Sequence, residues 1–133
     1  MKVKRVEHVG IVVKSIEEAL PFYGLLGLKA DATENLPQAG LKIAFLPVGE
    51  SRLELLEPTS EESSQGRFLR DNGEGIHHLC VAVDDIEGAI KELLEAGCKM
   101  VDQTPRSVFG GKKRVAFVHP SSTHGVRLEL WED

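Results

Sequence analysis

The chain contains one segment written twice. Residues 8–29, HVGIVVKSIEEALPFYGLLGLK, align without a gap on residues 78–99, HLCVAVDDIEGAIKELLEAGCK. The copies coincide at His8/His78, Val13/Val83, Ile16/Ile86, Glu17/Glu87, Ala19/Ala89, Gly27/Gly97 and Lys29/Lys99. A second phrase closes each copy, with Arg52-Leu53-Glu54-Leu55-Leu56-Glu57 matching Arg127-Leu128-Glu129-Leu130-Trp131-Glu132. A duplication constrains topology more than any single element does, because both halves must adopt the same local order. Each half opens with a histidine and ends with a glutamate, both set in strand-like apolar runs. Two like-folded halves can therefore bring four such side chains to one point.

The elements repeat as well. Val6 to Val13 is short and rich in β-branched residues, as a buried strand requires. Ser15 then caps a helix whose first turn carries Glu17 and Glu18 and which stops at Gly27. Ile16, Ala19, Leu20, Tyr23 and Leu26 follow helical spacing, although Pro21 interrupts the run. Strands are expected over Leu28 to Thr33, Leu41 to Val48 and Arg52 to Glu57, the last two joined by a Gly49-Glu50-Ser51 hairpin. In the second half, Ile76 to Val83 reads as a strand and Asp85 caps a helix from Ile86 to Ala96. Strands follow near Lys99 to Asp102, Lys113 to Val118 and Val126 to Glu132. The order is βαβββ twice, in modules at about 1–58 and 76–133, with a polar linker at about 59–75 holding a helical turn at Phe68-Leu69. All of it forms one domain spanning 1–133.

Side chains alternate along a strand, so the faces follow from the numbering. His8 shares its side with Gly10 and Val12, and His78 with Cys80 and Ala82. Glu54 and Glu129 oppose the pairs Leu53/Leu55 and Leu128/Leu130. The large aliphatic faces should pack on the helices. The histidine faces, lined by small residues, should leave a cup.

Composition narrows the function. At 133 residues the chain can bury a core without a disulfide or structural metal. A net charge of −5 argues against a nucleic-acid partner, which needs basic surface. No apolar run approaches the roughly 18 residues of a membrane span, and the start MKVKR leads into a strand with no signal segment. Cys80 and Cys98 lie in apolar segments without framework spacing, which suits free thiols in a reducing, cytoplasmic setting, or an organelle matrix in a eukaryote.

Two imidazoles and two carboxylates, His8, Glu54, His78 and Glu129, suit a divalent ion such as Co, Mn, Ni, Zn, Fe or Mg. Their charges would cancel that of the ion, and on an octahedral ion they would leave two positions for a substrate offering two oxygens. A single strand histidine is more often a hydrogen-bonded core residue; equivalence across the duplication favours ligation. His77 reads as structural. His119 and His124 flank an exposed turn, with His119 able to border the cup. Gly110-Gly111 with Lys112, Lys113 and Arg114 reads equally as a phosphate-holding loop or a plain basic loop.

These residues resemble the vicinal oxygen chelate superfamily (glyoxalase/bleomycin resistance/dioxygenase), and within it the methylmalonyl-CoA epimerases. The likeness covers nearly the whole chain and rests on HVGIVVKSIEEAL, FLPVGESRLELLEP, GEGIHHLCVAVDDIEGAI and GGKKRVAFVHPSSTHGVRLEL. It implies an α+β fold of two paired βαβββ modules forming a curved, cup-shaped mixed sheet with helices outside. It also implies metal ligands at His8, Glu54, His78 and Glu129, an acyl-CoA thioester as substrate, and a homodimer. The implied reaction is exchange of the 2R and 2S forms of methylmalonyl-CoA by α-proton abstraction through a metal-stabilised enolate. Some epimerases carry a second catalytic glutamate three residues after a glycine like Gly40, but here Ile43 stands in that place. Glu129 is then one base and Glu54 the expected other, with Glu34 a weaker candidate. A glyoxalase I-type lactoylglutathione lyase is the runner-up, since it uses a similar ligand set and a similar proton transfer. A ring-cleaving dioxygenase would want only two histidines and one carboxylate. A non-enzymatic binding module would need no four-ligand site.

Overall fold

A computed structural model describes all 133 residues. They divide into two compact units, His8–His77 and the pair Met1–Glu7 with His78–Asp133. The βαβββ order appears in both halves. The first half contains β1 (Val3–Val12), α1 (Ile16–Leu25), β2 (Ala32–Leu36), β3 (Leu41–Val48) and β4 (Ser51–Pro58). The second contains β5 (Gly75–Val83), α3 (Ile86–Glu95), β6 (Arg106–Val108), β7 (Lys113–Val118) and β8 (Leu128–Glu132). Between them lies α2 (Ser64–Asn72), a true helix where the sequence suggested one turn. No helix is long and apolar enough to cross a membrane.

Strand order within the modules is β2-β3-β4-β1 and β6-β7-β8-β5. In each, the first strand runs parallel to the last and the remaining pairs are antiparallel. Registers correspond too: Gly10 faces Glu54 across β1 and β4, and Cys80 faces Glu129 across β5 and β8.

The helices begin as the sequence indicates. The hydroxyl of Ser15 accepts from the Glu18 amide at 3.2 Å, and the carboxylate of Asp85 accepts from the Gly88 amide at 3.0 Å. A second device repeats. The Ile16 N–H donates to Glu57 at 2.8 Å, and the Ile86 N–H donates to Glu132 at 2.9 Å. Amides in a helix's first turn have no partner within the helix, so each carboxylate supplies one and meets the positive end of the dipole. Both helices stop at a glycine with positive φ, Gly27 at 81° and Gly97 at 88°.

α1 and α3 each cover the aliphatic face of their own module's strands. Val13, Ile16, Ala44, Leu46 and Leu55 form one core, joined by Ile11, Leu53 and Tyr23. Val83, Ile86, Ala89, Ile90, Ala116, Val118 and Leu130 form the other, joined by Leu128. Fully burying one such side chain stabilises by about 1.5–3 kcal/mol. This is the packing that the alternation predicts, and it fixes which face the histidines take.

Two strands lie elsewhere than expected. β2 starts at Ala32, so most of Leu28 to Thr33 precedes it. In the second module Lys99 to Asp102 makes only an isolated bridge, Met100 to Val118, and the outer strand is Arg106–Val108. Edge strands pair on one side only, and their sequences carry little of the alternation that marks inner strands.

Candidate metal centre

Each module presents a buried histidine–glutamate pair. In the first, His8 Nδ1 lies 3.2 Å from Glu54 Oε2. In the second, His78 Nε2 lies 3.4 Å from Glu129 Oε1. All four residues are buried, His8 to 2% and Glu54 to 4% exposure. Burying ionisable side chains is costly unless they are paired or bind a metal.

The pairing follows from strand register. Parallel neighbours in register point to the same face, so Gly10 and Cys80, which have little or modest bulk, leave room beside Glu54 and Glu129. The histidines, two residues earlier, turn toward those carboxylates. On the antiparallel side Phe45 stands opposite Glu54 and Phe117 opposite Glu129. An aromatic ring therefore flanks each acid, and the Phe117 ring also meets His78 edge-on at 5.8 Å between centroids.

The spacing fits a metal. Donors each about 2.1 Å from one ion are separated by about 3.0 Å at an octahedral right angle and about 3.4 Å at a tetrahedral one. Both pairs fall within that span. Neutral imidazole nitrogen and carboxylate oxygen together suit Mn, Co, Ni, Fe or Zn in the divalent state.

The other sequence candidates take other positions. His77 points away from His78's face, where its Nε2 meets the Ser64 hydroxyl at 3.1 Å and its ring packs edge-on against Phe68. It anchors α2. His119 accepts from the Ser121 amide at 3.0 Å and caps an exposed turn, while His124 is exposed with φ at 59°. Arg114 is committed to Glu132 and Glu87, so the basic loop has lost it as a phosphate contact. Lys113 lies 5.9 Å from the centre of the Trp131 ring. The small-residue face is only partly an open cup: in the second module Cys80, Ala82, Val115 and Trp131 pack together with Phe109.

Ile43 is buried on the Glu54 face, one alternation along from Phe45. Glu34 stands directly across from Ile43 on β2, on the same face but exposed. The sequence reading missed Arg52. Its Nη2 donates to Glu54 Oε2 at 3.0 Å, and its guanidinium lies 4.9 Å from the centre of the Phe45 ring. The signal was present, since residues two apart on a strand share a face and Arg52 begins the shared phrase.

The geometry has counterparts among known proteins. The profile of the Glyoxalase/Bleomycin resistance protein/Dioxygenase superfamily matches residues 7–117. The chain belongs to this superfamily. It is 35% identical to the mitochondrial methylmalonyl-CoA epimerase of Dictyostelium discoideum, covering 96% of this chain and 78% of that protein. A methylmalonyl-CoA epimerase structure in complex with methylmalonyl-CoA and ammonium superposes with a TM-score of 0.90 at 32% identity, over 99% of this chain and 96% of that one. A crystal structure of a hypothetical protein from Bacillus halodurans C-125 superposes at 0.91 with 48% identity, over 97% and 94%. The paired βαβββ, α+β architecture expected of this superfamily is thus borne out.

Proposed function

We propose that this chain is a metal-dependent methylmalonyl-CoA epimerase, with His8, Glu54, His78 and Glu129 holding one divalent ion. The observation that carries the reading is the duplicated buried pair, His8–Glu54 at 3.2 Å and His78–Glu129 at 3.4 Å. Near-full-length likeness to methylmalonyl-CoA epimerases supports the substrate. The ion, when bound, supplies Lewis-acid stabilisation of the oxygen that gains charge as the α-carbon loses its proton.

The chain's own residues do the rest. Inversion at carbon requires a proton to leave one face and return to the other, so two bases are needed. Glu129 takes one face. Glu54 takes the other, because Ile43 offers no acid on that side of β3. Phe45 and Phe117 stand opposite the two carboxylates and supply an apolar flank to each. Cys80 and Cys98 form no disulfide, which supports a cytoplasmic or matrix location, and likeness to the epimerases supports assembly as a homodimer.

The deciding experiment is deuterium wash-in to methylmalonyl-CoA after chelation and reloading with Co, Mn, Ni, Zn or Mg. Stoichiometric metal and metal-dependent exchange from both 2R and 2S forms are expected. Turnover of the methylglyoxal–glutathione hemithioacetal without methylmalonyl-CoA exchange would instead identify a lactoylglutathione lyase. Glu54→Gln with metal retained should lose exchange in at least one direction, and full activity in both would remove Glu54 as a base.

A further inference from the structure

We propose that Arg52 is a positioning residue for Glu54, competing with the metal for its carboxylate. The inference rests on the four-ligand site proposed above and extends it to a residue outside the ligand set.

Three contacts carry the argument. The same oxygen of Glu54, Oε2, lies 3.2 Å from His8 Nδ1 and 3.0 Å from Arg52 Nη2. Arg52 is itself held in place, with its guanidinium 4.9 Å from the centre of the Phe45 ring. Phe45 in turn stands opposite Glu54 in the β3–β4 register. Ring, guanidinium and carboxylate form one stack on the face that carries His8. A guanidinium resting on an aromatic face gives up little further freedom in bonding a carboxylate, and that bond is among the stronger kinds.

The second module also sets a guanidinium over its aromatic ring. The guanidinium over Phe117, the counterpart of Phe45, belongs to Arg106 at 5.7 Å. Arg106 comes from the edge strand β6 and gives its Nε to Asp102 at 2.9 Å. A carboxylate that must hold an ion and also take a proton needs somewhere to stand when it releases the ion. Arg52 is that place for Glu54.

The test is Co(II) affinity, read by calorimetry and by the visible absorption of the bound ion, in the full chain carrying Arg52→Met or Arg52→Lys. Arg52→Met should bind Co(II) about tenfold more tightly, the scale set by one charge-assisted hydrogen bond, while deuterium wash-in falls. Arg52→Lys should restore both values toward those of the parent. A purely structural role for Arg52 would lower melting temperature without tightening metal binding. Unchanged or weaker Co(II) binding in a folded Arg52→Met protein would overturn the inference. Absence of stoichiometric Co(II) in the parent would instead overturn the metal site itself. Glu54→Gln in both backgrounds is the control: it should abolish the affinity difference, and a difference that persists would show that Arg52 does not act through Glu54.

Discussion

Replacing Glu132 by glutamine should destabilise the second module without touching the histidine face. The Glu132 carboxylate accepts from the Ile86 N–H at 2.9 Å and from Arg114 Nε at 3.1 Å. These contacts, the Ile86 amide first and then Arg114, hold its carboxyl below the ordinary glutamate range. An amide oxygen can still accept from Ile86, so the substitution removes charge assistance and leaves the bond. That difference is about 1 kcal/mol per donor. The Arg114 side chain is 39% exposed, so solvent screens much of its share. The expected loss is about 1.5 kcal/mol. With about 2.1 cal/mol/K of unfolding entropy per residue, a chain of 133 residues would melt about 5 °C lower. The pH dependence has a definite sign. Because the folded carboxyl is shifted down from its unfolded value of about 4.3, its contribution is complete above about pH 5 and disappears as pH falls through the folded value. Thermal melts by circular dichroism at pH 7 and pH 3 are the assay. A gap between parent and Glu132→Gln that is absent at pH 7, or equally wide at pH 3, would refute the helix-clamp account.

Two other changes have definite outcomes. Ile43→Glu on a Glu54→Gln background should recover part of the lost deuterium exchange, because residue 43 shares the Glu54 face of the sheet. Burying the new acid should lower the melting temperature, and exchange no faster than in Glu54→Gln alone would count against an acid being useful there. Asp133→Asn should cost less than about 1 kcal/mol at low salt and nearly nothing in about 1 M sodium chloride, as followed by thermal melts. Asp133 takes both guanidinium nitrogens of Arg5, at 3.0 and 2.9 Å, but is 36% exposed and open to screening.

The closing phrase of each half shows how much of this the sequence disclosed. Alternation placed Glu54 and Glu129 opposite the leucine pairs, and the structure buries both beside their histidines. The last glutamate of the same phrase went unread. Glu57 and Glu132 lie three residues further on, hence on the opposite face, where each reaches the first amide of its module's helix. Nothing local marks them, because the partner amide is 41 residues away in one case and 46 in the other. A long-range contact of this kind can be read from a single sequence only through its repetition.

Legibility also falls off toward the sheet edges, for a physical reason. β1, β4, β5 and β8 carry the ligand candidates, and each turns one face to a helix-covered core, so their aliphatic residues must alternate. A slip of one residue there would expose the whole core face. β2 reads ATENL and is mostly exposed, and β6 is three residues long. Such strands depend mainly on backbone pairing, and many sequences satisfy that. The two modules accordingly diverge at the edges: Glu34 stands across from Ile43 in one, and Arg106 across from Val115 in the other. Duplication kept the alternation and the histidine–glutamate pairs where burial enforces them, and let charge drift to opposite sign where solvent tolerates it. The same rule explains why Glu34, which stands across from Ile43, reads from sequence only as a weaker candidate base: it lies on the strand whose position the pattern constrained least.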